Sequence, residues 1–151
     1  MEQFVTINDV IEFAVQREDT AFRLYKLAAQ LTNEPSARKM FEEFAVEEST
    51  HKSVFSRIAE SRSEDASACV LPEPSIAAYM VDVPFRVDMT YREILTYALK
   101  AEDGAYNLYR AAAGATDNEE LRKILLNFAE VELGHRRRIE AIYEERVLTE
   151  G

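Results

Sequence analysis

The chain repeats itself. Shifted by 84 residues it aligns with itself without a gap: Ala14, Glu18, Asp19, Ala21, Leu24 and Tyr25 fall on Ala98, Glu102, Asp103, Ala105, Leu108 and Tyr109. Further on, Arg38, Lys39, Phe44, Ala45, Glu48 and His51 fall on Arg122, Lys123, Phe128, Ala129, Glu132 and His135. Between positions 7 and 61, 17 of 55 residues equal their counterpart, where ordinary composition would give roughly one in fifteen. The period is too long for a solenoid. It marks one duplicated unit, so whatever one half folds into the other must also form.

Each half reads as two helices. Ile7, Val10, Ile11, Ala14, Ala21, Leu24, Tyr25 and Ala28 recur at helical spacing, and the charged Glu18 interrupts their stripe. In "TNEPSARK", Asn33 is an expected N-cap and Pro35 fits a first turn. Met40, Phe41, Phe44, Phe55 and Ile58 carry the second helix toward Glu60. Thr90 and Glu93 have capping-box spacing at the start of the third helix. That helix is expected to run to about Ala113 and to stop at Gly114. Asp117 or Asn118 would cap a fourth helix ending near Val147. The link inside each half is short, so its helices are antiparallel neighbours.

Helix pairs at about 7–61 and 90–147 leave a central stretch of about 62–89. Pro72, Pro74 and Pro84 keep that stretch from being one helix, and its length suits an overhand crossover, with a short helical turn in "PSIAAYM". The expectation is a single all-α domain over 1–151: four long helices with one long central connection.

Composition narrows the function. A net charge of -10 argues against nucleic acid or an anionic membrane as partner. Cys69 is the only cysteine, which excludes an intrachain disulfide and a thiolate metal cage and fits a reducing cytoplasm. The start "MEQFVTINDV" lacks the basic region and apolar run of a signal peptide. No apolar run approaches the roughly 20 residues that span a bilayer. We place Cys69 in the crossover as a small buried or loop residue.

The only two histidines both stand in F-A-x-x-E-x-x-H, as "FAVEESTH" and "FAEVELGH". Residues i and i+3 on a helix lie about 4.5 Å apart along the axis, on nearly one face. Glu48 therefore points with His51, and Glu132 with His135. Glu18 and Glu102 interrupt the stripes of the other two helices, so four carboxylates and two imidazoles converge inside the bundle. Burying carboxylates without partners costs several kcal/mol each or forces protonation. The inward positions around the motifs are otherwise apolar, so no arginine or lysine is expected to pair them. Two divalent cations would supply four positive charges against four negative ones. Tyr25 and Tyr109 follow two turns along the same faces, serving either packing or a hydrogen bond to a ligand carboxylate. Asp19 and Asp103, about 100° round the helix from the glutamates, read as solvated. Glu47, matched by Val131, and Glu130, matched by Val46, lack the ligands' symmetry. The basic run His135 to Arg138 reads as a solvated face with one ligand at its edge.

"REDTAFRLY…FAVEESTHK" and "AEDGAYNLYR…FAEVELGHR" resemble the ferritin-like domain of the rubrerythrins, over nearly the whole chain and closest to short forms that lack a rubredoxin tail. The resemblance implies a dinuclear site, most simply di-iron with zinc or manganese as other occupants. In it Glu48 and Glu132 bridge, Glu18 and Glu102 are terminal, and His51 and His135 bind one metal each. It implies a cytoplasmic oxidoreductase that answers oxidative stress as a peroxidase or oxidase, reducing hydrogen peroxide or dioxygen. The six ligands act through the metals, with Tyr25 and Tyr109 as outer hydrogen-bond partners. With one cysteine the chain has no rubredoxin site of its own, so the electron donor is expected to be a separate rubredoxin-like or flavoprotein partner. Rubrerythrins also carry an extra glutamate three residues after the helix-three ligand; here that position is Ala105, which argues against redox-linked iron movement. A homodimer, with helix exchange between subunits, fits the family. Iron binding or Fe(II) oxidation for storage, and a zinc-filled structural bundle, remain the competing readings.

Overall fold

The structure, a computed structural model, describes residues 3–61, 68–71 and 76–150. Helix α1 (Ile7–Leu31) is followed by α2 (Pro35–Ser61), and α3 (Tyr91–Ala115) by α4 (Glu119–Glu150). The first three boundaries of the second half are those of the first moved by 84 residues, so the duplication extends to the caps. Thr6 and Asp9 form a capping box on α1, and Thr90 and Glu93 form the same box on α3. Both helices end on an extended threonine, Thr32 or Thr116. The carbonyls left over there are taken by the duplicated arginines. Arg38 Nε donates to Ala29 O at 3.1 Å, and Arg122 Nε to Ala113 O at 3.1 Å.

Two expected caps fall elsewhere. Gly114 lies inside the last turn of α3, and the stop is Thr116 with Arg122 rather than a glycine. Asn33 is one residue too early; Glu34 precedes Pro35, which takes the first helical position. Asn118 does cap α4, its Oδ1 accepting from Leu121 N at 3.0 Å.

The helices pack into an all-α four-helix bundle. Ile7, Val10, Ile11 and Ala14 of α1 share a core cluster with Phe55 of α2, Leu108 and Ala112 of α3, and Leu121 and Leu125 of α4. The far half of α1 (Leu24, Tyr25, Ala28) shares a second cluster with Met40, Phe41 and Phe44 of α2, Ile94 and Leu95 of α3, and Ile139 of α4. The start of α1 thus meets the ends of α2 and α3, which makes both antiparallel to it and α4 parallel. Glu18, Glu48, Glu102 and Glu132, none of them solvent-exposed, belong to neither cluster. The bundle has two apolar ends and a polar waist.

One feature was not anticipated. Residues Gln3–Thr6 (β1) pair antiparallel with Ala68–Leu71 (β2), Val5 opposite Cys69. This clasp ties the N-terminus to the crossover and leaves the class all-α. The Cys69 side chain, and Pro72 and Pro74, lie outside the described residues. The helical turn expected in 74–80 is a 3-10 turn at Ile76–Tyr79. No helix among the described residues is long and apolar enough to cross a membrane.

The 3-10 turn lies directly on α3. A Cβ built on Gly104 would collide with the Tyr79 carbonyl, so the crossover lies this close only because residue 104 has no side chain. Gly104→Ala is expected to cost about 1–3 kcal/mol, the usual penalty of overpacking. Gly114→Ala meets nothing within 4 Å and should stabilise by up to about 1 kcal/mol through helix propensity. Urea unfolding of both variants decides; equal effects would refute the close-approach argument.

Candidate metal centre

Each of the four helices contributes to the waist. Glu18 comes from α1 and Glu102 from α3; α2 brings Glu48 and His51, and α4 brings Glu132 and His135. The imidazoles are nearly buried, His51 at 5% exposure and His135 at 3%. Candidate ligand atoms gather into two groups, each within 4.8 Å: Glu18, Glu48, His51 and Glu132, then Glu48, Glu102, Glu132 and His135. Glu48 and Glu132 stand in both, whereas the other four stand in one.

Burial makes this arrangement costly. It lifts the Glu48 and Glu132 carboxyls well above the ordinary carboxylate range, and neighbouring carboxylates add to the lift while Arg17 opposes it. Glu18 is also pushed up by burial, but Arg17, His51 and Tyr109 outweigh this and hold it below its usual value. Burial lowers His51, and the Glu18 carboxylate raises it by more.

Each of the six residues presents one buried atom that makes no well-formed hydrogen bond: Glu18 Oε2, Glu48 Oε1, His51 Nδ1, Glu102 Oε2, Glu132 Oε1 and His135 Nδ1. The two nitrogens lie only in loose contact with carboxylate oxygens, His51 3.4 Å from Glu48 and His135 3.2 Å from Glu102. Buried polar atoms are ordinarily satisfied. Six such lone-pair donors converging as two oxygen-and-nitrogen sets fit a pair of divalent cations.

The imidazoles are held from across the bundle. His51 stacks on Phe128 with ring centroids 3.8 Å apart, and His135 on Phe44 at 3.9 Å. Each histidine thus lies against the phenylalanine of the other half. Of the two tyrosines, Tyr109 bonds Glu18, its hydroxyl 2.7 Å from Oε1, again across the halves. The Tyr25 hydroxyl, in the symmetric place, is buried without such a bond and packs among Phe41, Phe44 and His135.

Two sequence expectations need correction. Arg17 reaches the cage after all: its Nη1 meets Glu18, Glu48 and Glu132, and its Nη2 meets Glu102. Position 17 lies about 100° from Glu18 around the helix, so face-counting placed it off the inward stripe. A long arginine side chain overrides such counting by bending its head group back. Glu47 is not a bystander either, since its carboxylate stands 3.1 Å from His135 Nε2. That contact leaves Nδ1 facing the carboxylates, as an outer partner of a metal-binding histidine does; Val131, the counterpart, has no group to offer His51. Asp19 and Asp103 stand in solvent as expected, and each meets a cation there. Lys52 Nζ lies 2.8 Å from Asp19, and Arg136 Nε lies 2.5 Å from Asp103. The basic run likewise has partners, Arg136 on Asp103 and Arg138 over the Phe44 ring.

Comparison with known proteins agrees with this fold. The family model described as Rubrerythrin matches residues 5–83 and 93–151. A protein from Thermotoga maritima, described provisionally as a ferritin-like diiron-carboxylate protein, superposes with a TM-score of 0.78 at 21% identity over 97% of this chain and 99% of its own. A hypothetical protein from Pyrococcus furiosus gives 0.71 at 19% identity, over 92% and 89%. No curated protein matches the sequence significantly.

Proposed function

Because the chain belongs to the rubrerythrin family, we propose that its waist holds two metal ions, iron in the first place, and that the protein is an oxidoreductase for hydrogen peroxide or dioxygen. The observation that carries this reading is the set of six buried ligand atoms, none with a well-formed hydrogen bond, arranged in two overlapping groups. Glu48 and Glu132, which stand in both groups, would serve both ions, Glu18 and Glu102 would serve one each, and each histidine would offer Nδ1 to one ion. A pair of ferrous ions so held supplies two electrons at once, which is what reduction of a peroxide O–O bond to water requires.

The chain's own residues supply the setting. The phenylalanines that stack on the imidazoles fix the ring planes and keep water from that side. Tyr109 O–H donates to Glu18 and limits its rotation. Glu47 accepts from His135 Nε2–H and so selects the tautomer that leaves Nδ1 free. These 151 residues, with one cysteine, cannot build a four-thiolate iron site, so electrons would reach the waist from a donor outside them.

Metal analysis of protein from iron-replete cells, followed by peroxide addition under argon, tests the reading. Two irons per chain, oxidised by peroxide and repeatedly re-reduced with turnover, is the expected result. Oxidation without turnover would favour storage. Zinc alone, with no peroxide consumption, would favour a structural bundle and remove the oxidoreductase reading.

A further inference from the structure

The duplication is closest where the ligands lie, and the residue before the first ligand breaks it. Arg17 precedes Glu18, whereas Ala101 precedes Glu102. The Arg17 side chain is only 8% exposed, and its guanidinium contacts all four carboxylates of the waist. The three carboxylates that Nη1 meets, Glu18, Glu48 and Glu132, are those of the first candidate metal group. The one that Nη2 meets, Glu102, belongs to the second. The two ends of one planar cation thus lie against the carboxylates that would hold two cations. Arg17 takes Glu18 Oε1, Glu48 Oε2, Glu102 Oε1 and Glu132 Oε2, the partners of the four oxygens left without a bond, so Glu48 and Glu132 could not give both oxygens to the ions while it stays. The positive charge of Arg17 also opposes any dication beside it.

We infer that Arg17 is a built-in counter-ion: it offsets one negative charge of the carboxylate cage in the metal-free protein and must withdraw for metals to be held there. Its departure costs the charge-assisted bonds it makes there, so Arg17 lowers metal affinity while it keeps the metal-free bundle folded. Room to leave exists beside it. A cavity of about 130 Å³ between α1, α3 and the segment after the 3-10 turn is lined by Arg17 itself with Phe13, Thr20, Tyr97 and Ala101. Ala101 is the counterpart of Arg17, and its small side chain leaves this space open. An arginine at both positions would fill it.

The inference rests on the metal reading above, and zinc titration separates the two. In the wild-type protein the Arg17 Nε–H is expected to be protected from solvent exchange without metal, and to lose that protection by tenfold or more at zinc saturation, seen by NMR. Arg17→Leu is expected to bind zinc at least tenfold more tightly at pH 7.5, by calorimetry, and to melt at a lower temperature than wild type without metal. Zinc affinity that is unchanged or weakened in Arg17→Leu, or Arg17 protection that persists at saturation, would overturn the inference alone. Failure of both proteins to bind zinc would overturn it together with the metal reading. Should the metal-free variant not fold, the exchange measurement on the wild type decides by itself.

Discussion

Glu48→Ala is expected to leave the protein with almost no bound metal, whereas Glu18→Ala should leave about half. The difference follows from group membership. Glu48 and Glu132 each appear in both candidate sets, while Glu18 and Glu102 each serve one. Loss of a shared carboxylate takes a ligand from both ions at once, whereas loss of Glu18 or Glu102 takes one from a single ion. The expected weakening exceeds the ~10–100-fold that loss of an outer hydrogen-bond partner brings. Loss of Glu18 leaves the second set intact, with Glu48, Glu102, Glu132 and His135 in place. Elemental analysis of Glu48→Ala, Glu132→Ala, Glu18→Ala and Glu102→Ala after loading and desalting gives the stoichiometry. Equal loss in all four would show that the carboxylates do not divide into shared and terminal ligands. Retention of full metal in Glu48→Ala would remove the site.

The second large effect is on stability. With free metal about 1,000-fold above its dissociation constant, a bound ion adds about 4 kcal/mol to the folded state. For a chain of this size that corresponds to a melting shift of about 10 °C, which chelation should reverse. The shift should also depend on pH. In the unfolded chain Glu48 and Glu132 titrate near the ordinary value of about 4.3, whereas in the metal-free fold burial raises both well above it. Over the window between those values the folded state holds more protons than the unfolded one, so metal-free stability falls as pH rises. His51, raised in the fold against burial by the Glu18 carboxylate, adds to that fall as pH passes its folded value. Glu18 is lowered, so its stabilising contribution is lost only at acid pH, below this window. Metal-bound carboxylates have no proton to lose, and the loaded protein does not share the decline. The gap between loaded and metal-free melting temperatures should therefore widen from pH 5 to pH 8, measured by calorimetry. A gap that narrows over this range would contradict the raised carboxyls.

Much of this was legible because the chain is written twice. The 84-residue offset located Glu18, Glu48, His51 and their counterparts before any coordinates, and helical spacing put them on inward faces. Apolar periodicity gave the four helices, and the short links gave their antiparallel pairing. What escaped was whatever the offset does not preserve. Arg17 faces Ala101, and Glu47 faces Val131. A search for symmetry discards both, although the mismatches are the residues that touch the cage and His135. Gly104 gave a different kind of signal: a glycine in mid-helix carries a cost of about 1 kcal/mol against alanine and asks for a reason. The reason lies in the 3-10 turn, whose path over α3 cannot be read from local sequence. The strand pair between residues 3–6 and 68–71 escaped for the same cause, since its two members stand far apart in the chain.

Arg17, the one arginine in the waist among the described residues, bears on why the two halves share one backbone. Were the bundle assembled from two separate identical polypeptides, any arginine at this place would arrive as a pair, one from each copy. Two guanidiniums would then compete for a single set of four acids and crowd the hollow that one of them needs. Covalent fusion removes that constraint. It lets a twofold pseudo-symmetric vessel carry a one-off part, so the ligands stay matched while their counterweight need not be.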